Sequence, residues 1–146
     1  MRWGAPWPAG AGGYEDWYLV DDFAALGALN DAAVSASRVA PHDAAAAAAA
    51  GGAGGVYRLR QGTVLPVPGH AHWFGKPEGL SYRELFARLL PVVEDADGAL
   101  WGRQMVLGPA PEFCLQTAEA VSLPSDLAAL GVTLRRTWAA FGSTDV

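Results

Sequence analysis

Apolar positions in this chain recur either every second residue or every third to fourth, and the changes between these spacings mark out strands and helices. Tyr14–Val20 alternates, with Tyr14, Asp16, Tyr18 and Val20 on one face and Glu15, Trp17 and Leu19 on the other, which predicts a strand. Asp21 and Asp22 offer an N-cap, and Phe23, Leu26, Leu29 or Asn30, Ala33 and Val34 follow at helical spacing. Past Pro41, Asp43 precedes the alanine run Ala44–Ala50, which Gly51 and Gly52 stop, so a second short helix is expected there. Val56–Arg60 alternates again, Tyr57 and Leu59 against Arg58 and Arg60, and His70–Phe74 is the next strand. Ser81 with Glu84 has the spacing of a capping box, and Leu80 with Leu85 that of a hydrophobic staple. The helix they start carries a stripe of Leu85, Phe86, Leu89 and Leu90 and should end or kink near Pro91. Leu100–Leu107 predicts a strand, Glu112–Thr117 a further short one, and Pro124–Leu130 a short helix; Val132–Trp138 fits either state.

From Tyr14 to Leu107 the predicted order is strand, helix, strand, strand, helix, strand, with the alanine helix added to the first connection. That is the split βαβ arrangement. It implies an α+β, ferredoxin-like βαββαβ domain, with a four-stranded antiparallel sheet, right-handed crossovers and helices on one face. The length of 146 residues suits one domain. Within it, residues 1–13 form an irregular Trp, Pro and Gly arm, 14–107 the core and 108–146 a C-terminal extension with extra elements. A second sheet face carrying Trp, Tyr and Met would be sticky if left bare. By element order the chain resembles the dimeric α/β-barrel superfamily, which includes antibiotic-biosynthesis-type monooxygenases, EthD-like proteins and stress-responsive barrel proteins. The resemblance implies a homodimer packed sheet to sheet, with an aromatic-lined pocket for a small organic ligand between sheet and helices. Its enzymatic version is a cofactor-independent monooxygenase.

Composition narrows the function classes. Apolar residues make up 51% of the chain, enough for a core, and six Trp are available for packing or for a pocket. The net charge is −5, Lys76 is the only lysine and no basic cluster occurs, which argues against nucleic acid or an anionic membrane as a partner. Cys114 is the only cysteine, so no internal disulfide forms. No apolar run approaches the ~20 residues of a membrane span. The opening Met-Arg-Trp-Gly-Ala-Pro-Trp-Pro lacks the apolar centre of a signal peptide. A soluble cytoplasmic protein is the expectation.

No motif names a reaction. His70 and His72, two apart on a strand, place both imidazoles on one face and could chelate a transition metal if a third ligand joined them. None is evident, and the expectation is a polar pair facing a cavity or interface, with no metal or other cofactor. If Tyr57 and Leu59 face the helices, Arg58 and Arg60 face the open side of the sheet; buried there they need an acidic partner such as Asp16 or a ligand carboxylate, and otherwise they are solvated edge charges. Arg103 and Gln104 interrupt an apolar strand, one on each face, and one of them must find a partner in a core or interface. With Tyr18 and Trp73 as aromatic lining, the candidate ligand-binding set is Tyr18, Arg58, His70, His72, Trp73, Arg103 and Gln104. The competing expectation is a non-catalytic structural or interaction protein whose Trp residues serve an oligomer interface. Cys114 reads as a small buried residue. Gly51–Gly55 lacks the Lys-Ser/Thr of a phosphate loop.

Overall fold

The computed structural model describes residues 15–33, 35, 38–48, 54–106 and 110–135. The expected N-terminal arm and the segment past residue 135 lie outside these. Two compact units are formed, one holding the described residues up to 48 and the other those from 54 onward. The first consists of residues 15–20 in irregular conformation, helix α1 (Phe23–Ala33) and helix α2 (Val39–Ala48). Asp22 caps α1, its Oδ1 accepting from the Ala25 amide at 2.8 Å. Helix α2 begins earlier than the alanine run requires, because Pro41 falls in its first turn, where a missing N–H costs nothing.

Residues 15–20 are not a strand, which corrects the first element of the expected order. Their alternation is real, but Tyr18 is 66% and Leu19 64% exposed, so neither face is buried, and no strand pairs with them among the described residues. A period of two becomes a strand only beside a ladder partner.

The second unit contains β1 (Gly55–Gly62), β2 (His70–Phe74), α3 (Tyr82–Asp95), β3 (Ala99–Val106), β4 (Phe113–Thr117), a short 3-10 turn (Ser125–Leu127) and β5 (Leu130–Thr133). The class is α+β, and the strands form a five-stranded antiparallel sheet in the order β1-β3-β4-β2-β5. β2 and β3 each pair antiparallel with β4, so they run parallel to one another with β4 between them. The connection β2–α3–β3 is therefore a single split βαβ unit. The C-terminal residues expected as an extension supply two of the five strands.

Helix α3 starts where its sequence signals place it. The Ser81 Oγ accepts from the Glu84 amide at 3.2 Å, and the Glu84 Oε2 accepts from the Ser81 amide at 2.9 Å and from its hydroxyl. Those bonds to Ser81 hold the Glu84 carboxyl below its usual pKa. Leu80 packs against the core that contains Leu85, as a staple should. The helix does not end at Pro91. Pro91 is exposed, so the lost backbone bond lies on the solvent side, while Val93 one turn-half later is fully buried and holds the helix on the sheet. It ends in a Schellman motif: Asp97 takes φ +45°, the Gly98 amide donates to Val93 O at 2.8 Å and the Asp97 amide to Glu94 O at 3.3 Å.

Leu85, Leu89 and Val93 of α3 meet Phe74, Leu100, Phe113, Leu115 and Leu127 in the core. Each such side chain contributes about 1.5–3 kcal/mol through burial. The opposite sheet face is buried too. Ala71, Ala99, Cys114 and Gln116 lie on it, and its two indoles, Trp73 and Trp101, are 5% and 6% exposed. This face is not the bare apolar surface from which sheet-to-sheet pairing was inferred. No helix among the described residues is long and apolar enough to cross a membrane.

Candidate functional site

Register assigns every candidate on the sheet to a face, because directly paired residues share one. His72 pairs with Leu115 on β4 and Gly131 on β5, and His70 with Thr117 and Thr133. With Phe74 they lie on the α3 face, so the two imidazoles do share a side. A Cβ at Gly131 would stand 3.2 Å from His72 Nδ1, so the ring lies against bare backbone. His72 Nε2 is buried without a hydrogen-bond partner among the described residues. Burial, with His70 nearby as a second influence, pulls the His72 pKa below its ordinary value, and the neutral ring is favoured. Among the described residues no group of three or more His, Cys, Asp or Glu is placed to hold a metal.

Trp73 lies on the other face. It meets Tyr57 edge-on at 5.9 Å between ring centroids, and the Tyr57 hydroxyl donates to Pro111 O at 2.6 Å. Cys114 pairs with Trp73 on one side and Trp101 on the other, so a small buried thiol separates two indoles. Trp101 Nε1 donates to Gln116 Oε1 at 2.9 Å, which satisfies the buried amide oxygen.

The condition under which the arginines of β1 would face the open side, Tyr57 and Leu59 against the helix, is not met. Tyr57 pairs with Arg103 and packs on Trp73, whereas Arg58 pairs with Gly102, which itself pairs with Phe113 of the α3 core. Arg58 and Arg60 are exposed on the α3 side and form no ion pair among the described residues. Their proposed partner, Asp16, belongs to the other unit. Arg103 is half-buried; its Nη1 donates to Ala110 O and its amide to Glu112 O at 2.8 Å. Gln104 is exposed and reaches only the carbonyl of Arg103, at 3.3 Å.

One polar cluster escaped the sequence. Glu112 accepts from the Tyr82 hydroxyl at 2.6 Å and from the Lys76 amide at 3.1 Å. The Lys76 ammonium donates to Leu80 O at 2.6 Å and Pro77 O at 3.2 Å and stands 5.5 Å above the Tyr82 ring. The cluster ties the β2–α3 loop to the start of β4. The hydrogen bond to Glu112, then its negative charge, raises the Tyr82 pKa, the wrong direction for a phenolate base or nucleophile. Tyr82 and Glu112 are thirty positions apart, and nothing local links them.

Tyr18 is in the first unit, where it lines a cleft of about 500 Å³ with Leu26, Leu29, Asn30, Ala33 and Arg38. Leu26, Leu29, Asn30 and Ala33 of the α1 stripe line this cleft, Phe23 does not, and α1 has no buried residue. Asn30 was legible as part of that stripe; Arg38, beyond the helix, had no signal. The six candidates of the sheet unit therefore do not share one face. His70 and His72 lie on one sheet face, Trp73 and Arg103 on the other, Arg58 and Gln104 at the exposed β1–β3 end and Tyr18 in the other unit. Comparison of the chain with protein-family models, curated proteins and solved structures gives no match.

Proposed function

We propose that the chain is a binding protein for a small amphipathic organic anion, taken up in the cleft of its first unit. The lining of that cleft carries the proposal. Its volume of about 500 Å³ lies in the range of small-molecule sites. Leu26, Leu29 and Ala33 offer one apolar wall, and the Tyr18 hydroxyl, the Asn30 amide and the Arg38 guanidinium offer polar groups. An apolar body would lie along α1, and Arg38 would pair with a carboxylate. Calorimetric titration with octanoate, octanol and octylamine tests it. Octanoate should bind at least tenfold more tightly than the other two, and Arg38→Gln should abolish that preference while leaving octanol binding unchanged. Equal affinity for acid and amine, or no binding of any of the three, would remove the proposal.

A further inference from the structure

A second site is carried by a different part of the molecule and does not rest on the cleft. The ladder between β1 and β3 breaks register twice, between Val56 and Tyr57 and between Leu59 and Gln61. Opposite the first break Gln104 is the extra residue on β3, and at the second Arg60 is the extra residue on β1. A bulge re-aims the side chain of its extra residue. Arg60 is turned so that its stem and Nε lie across Gly102: a Cβ there would stand 2.9 Å from Arg60 Nε and 3.0 Å from its Cγ. Arg58 is the direct cross-strand partner of the same glycine. The Arg60 side chain thus lies over a position with no side chain of its own, with the ring of Phe113, whose Cε1 would be 3.3 Å from that Cβ, beside it, and Arg58 is on the same sheet face directly across the ladder.

Three other cations of the sheet unit are engaged. Arg88 forms a two-pronged bridge to Asp126 at 2.8 Å, Arg103 reaches Ala110 O, and Lys76 holds two carbonyls. Glu112, at the strand end beside Phe113, is occupied by Tyr82 and the Lys76 amide. The chain has 15 acidic side chains and 10 Lys and Arg, and Arg58 and Arg60, two apart on one strand, form no ion pair among the described residues. We propose that Arg58 and Arg60, brought by the two bulges to the same sheet face at Gly102, bind an oxyanion, the phosphate or carboxylate end of a small molecule. Guanidinium forks recognise either group through paired hydrogen bonds, and a stem laid against the sheet loses less freedom on binding than a free one.

The test follows the arginine Nε–H and backbone amide resonances of the full ¹⁵N-labelled chain during titration with sodium phosphate and, separately, sodium acetate, each against sodium chloride at matched ionic strength. Arg58 and Arg60 Nε–H and the Gly102 amide should shift saturably with phosphate, acetate or both, which also tells the two oxyanions apart. Arg58→Gln and Arg60→Gln should each weaken binding at least tenfold. Arg60→Lys, which keeps the charge and loses the fork, should weaken it as well. Both arginines are exposed, so these variants should keep the wild-type Tm. Gly102→Ala should displace Arg60 and lower affinity in the same way. Shifts that stay linear and equal in all three salts, or an Arg60→Gln chain that binds like wild type, would overturn the proposal.

Discussion

Two glycines with the same backbone angle should differ sharply in how they tolerate a methyl group. Gly62 ends β1 at φ +79° and Gly79 sits in the loop before α3 at φ +78°. Alanine at either site takes up a left-handed conformation that costs about 1–2 kcal/mol. The unfolded-state entropy gained by replacing glycine is the same at both and cancels in the comparison. Only the surroundings differ. A Cβ at Gly79 meets nothing within 4 Å. A Cβ at Gly62 would stand 1.9 Å from Gly98 O and 2.7 Å from Val93 Cγ1. The carbonyl is backbone and cannot rotate away; ordinary C···O contact needs about 3.3 Å. Relief requires the end of β1 to move off the α3–β3 turn by more than an ångström. That movement breaks the Thr63 amide bond to Gly98 O, 3.0 Å long, worth about 1 kcal/mol. It also loosens Val93, which is 1% exposed, at a further cost of about 1 kcal/mol. Gly62→Ala should therefore cost about 3–4 kcal/mol against about 1–2 for Gly79→Ala. Urea unfolding of both variants gives the difference directly, provided the m-values match. Equal losses, within about 0.5 kcal/mol, would mean that β1 does not close on the α3–β3 turn as described.

Two further outcomes follow from single residues. Asp97 holds the left-handed position of the Schellman motif that ends α3, so Asp97→Gly should raise stability by about 0.5–1 kcal/mol, read as a higher urea midpoint. Burial lowers the folded-state pKa of His72 below the ordinary 6.5, so as pH falls through 6.5 the unfolded chain takes up a proton the folded chain refuses, and stability declines until the lowered folded pKa is passed; His72→Gln should flatten that part of the stability–pH profile, and an unchanged slope would show the ring to be solvated.

What the sequence made legible was local. The Ser81–Glu84 box and the Leu80–Leu85 staple are contained in six consecutive residues, and α3 begins there because no distant partner is needed to form them. His70–Phe74 was bounded correctly for a related reason: a short apolar run between Pro68-Gly69 and Gly75 has few other states open to it. Tyr14–Val20 shows the limit. Its alternation equals that of β1, but a strand also needs a neighbour, and what pairs with what is settled by the whole sheet. Pro91 shows it from the other side, since a local helix breaker was overruled by the burial of Val93.

The faces of β1 stay open in the sequence for a more specific reason, and that reason leads back to the candidate anion site. Alternation fixes which residues share a face but not which face meets the helix. Tyr57 and Leu59 against the helix is one of the two parities, and it would be required only if a single face of the sheet were buried within its own chain. Both faces are: one under α3, the other at Trp73, Trp101, Cys114 and Gln116. With that requirement removed, Tyr57 is free to pack on Trp73, and the parity puts Arg58 on the α3 side opposite Gly102. The bulge then adds what parity alone cannot, by releasing Arg60 from a partner and laying it across the same glycine. Had β1 paired without interruption, Arg60 would have stood opposite Leu100, beside the α3 core, where a guanidinium costs several kcal/mol unless compensated. The irregular ladder thus resolves a conflict in the sequence, an arginine falling on a core register, and in resolving it leaves two exposed arginines on one face of β1.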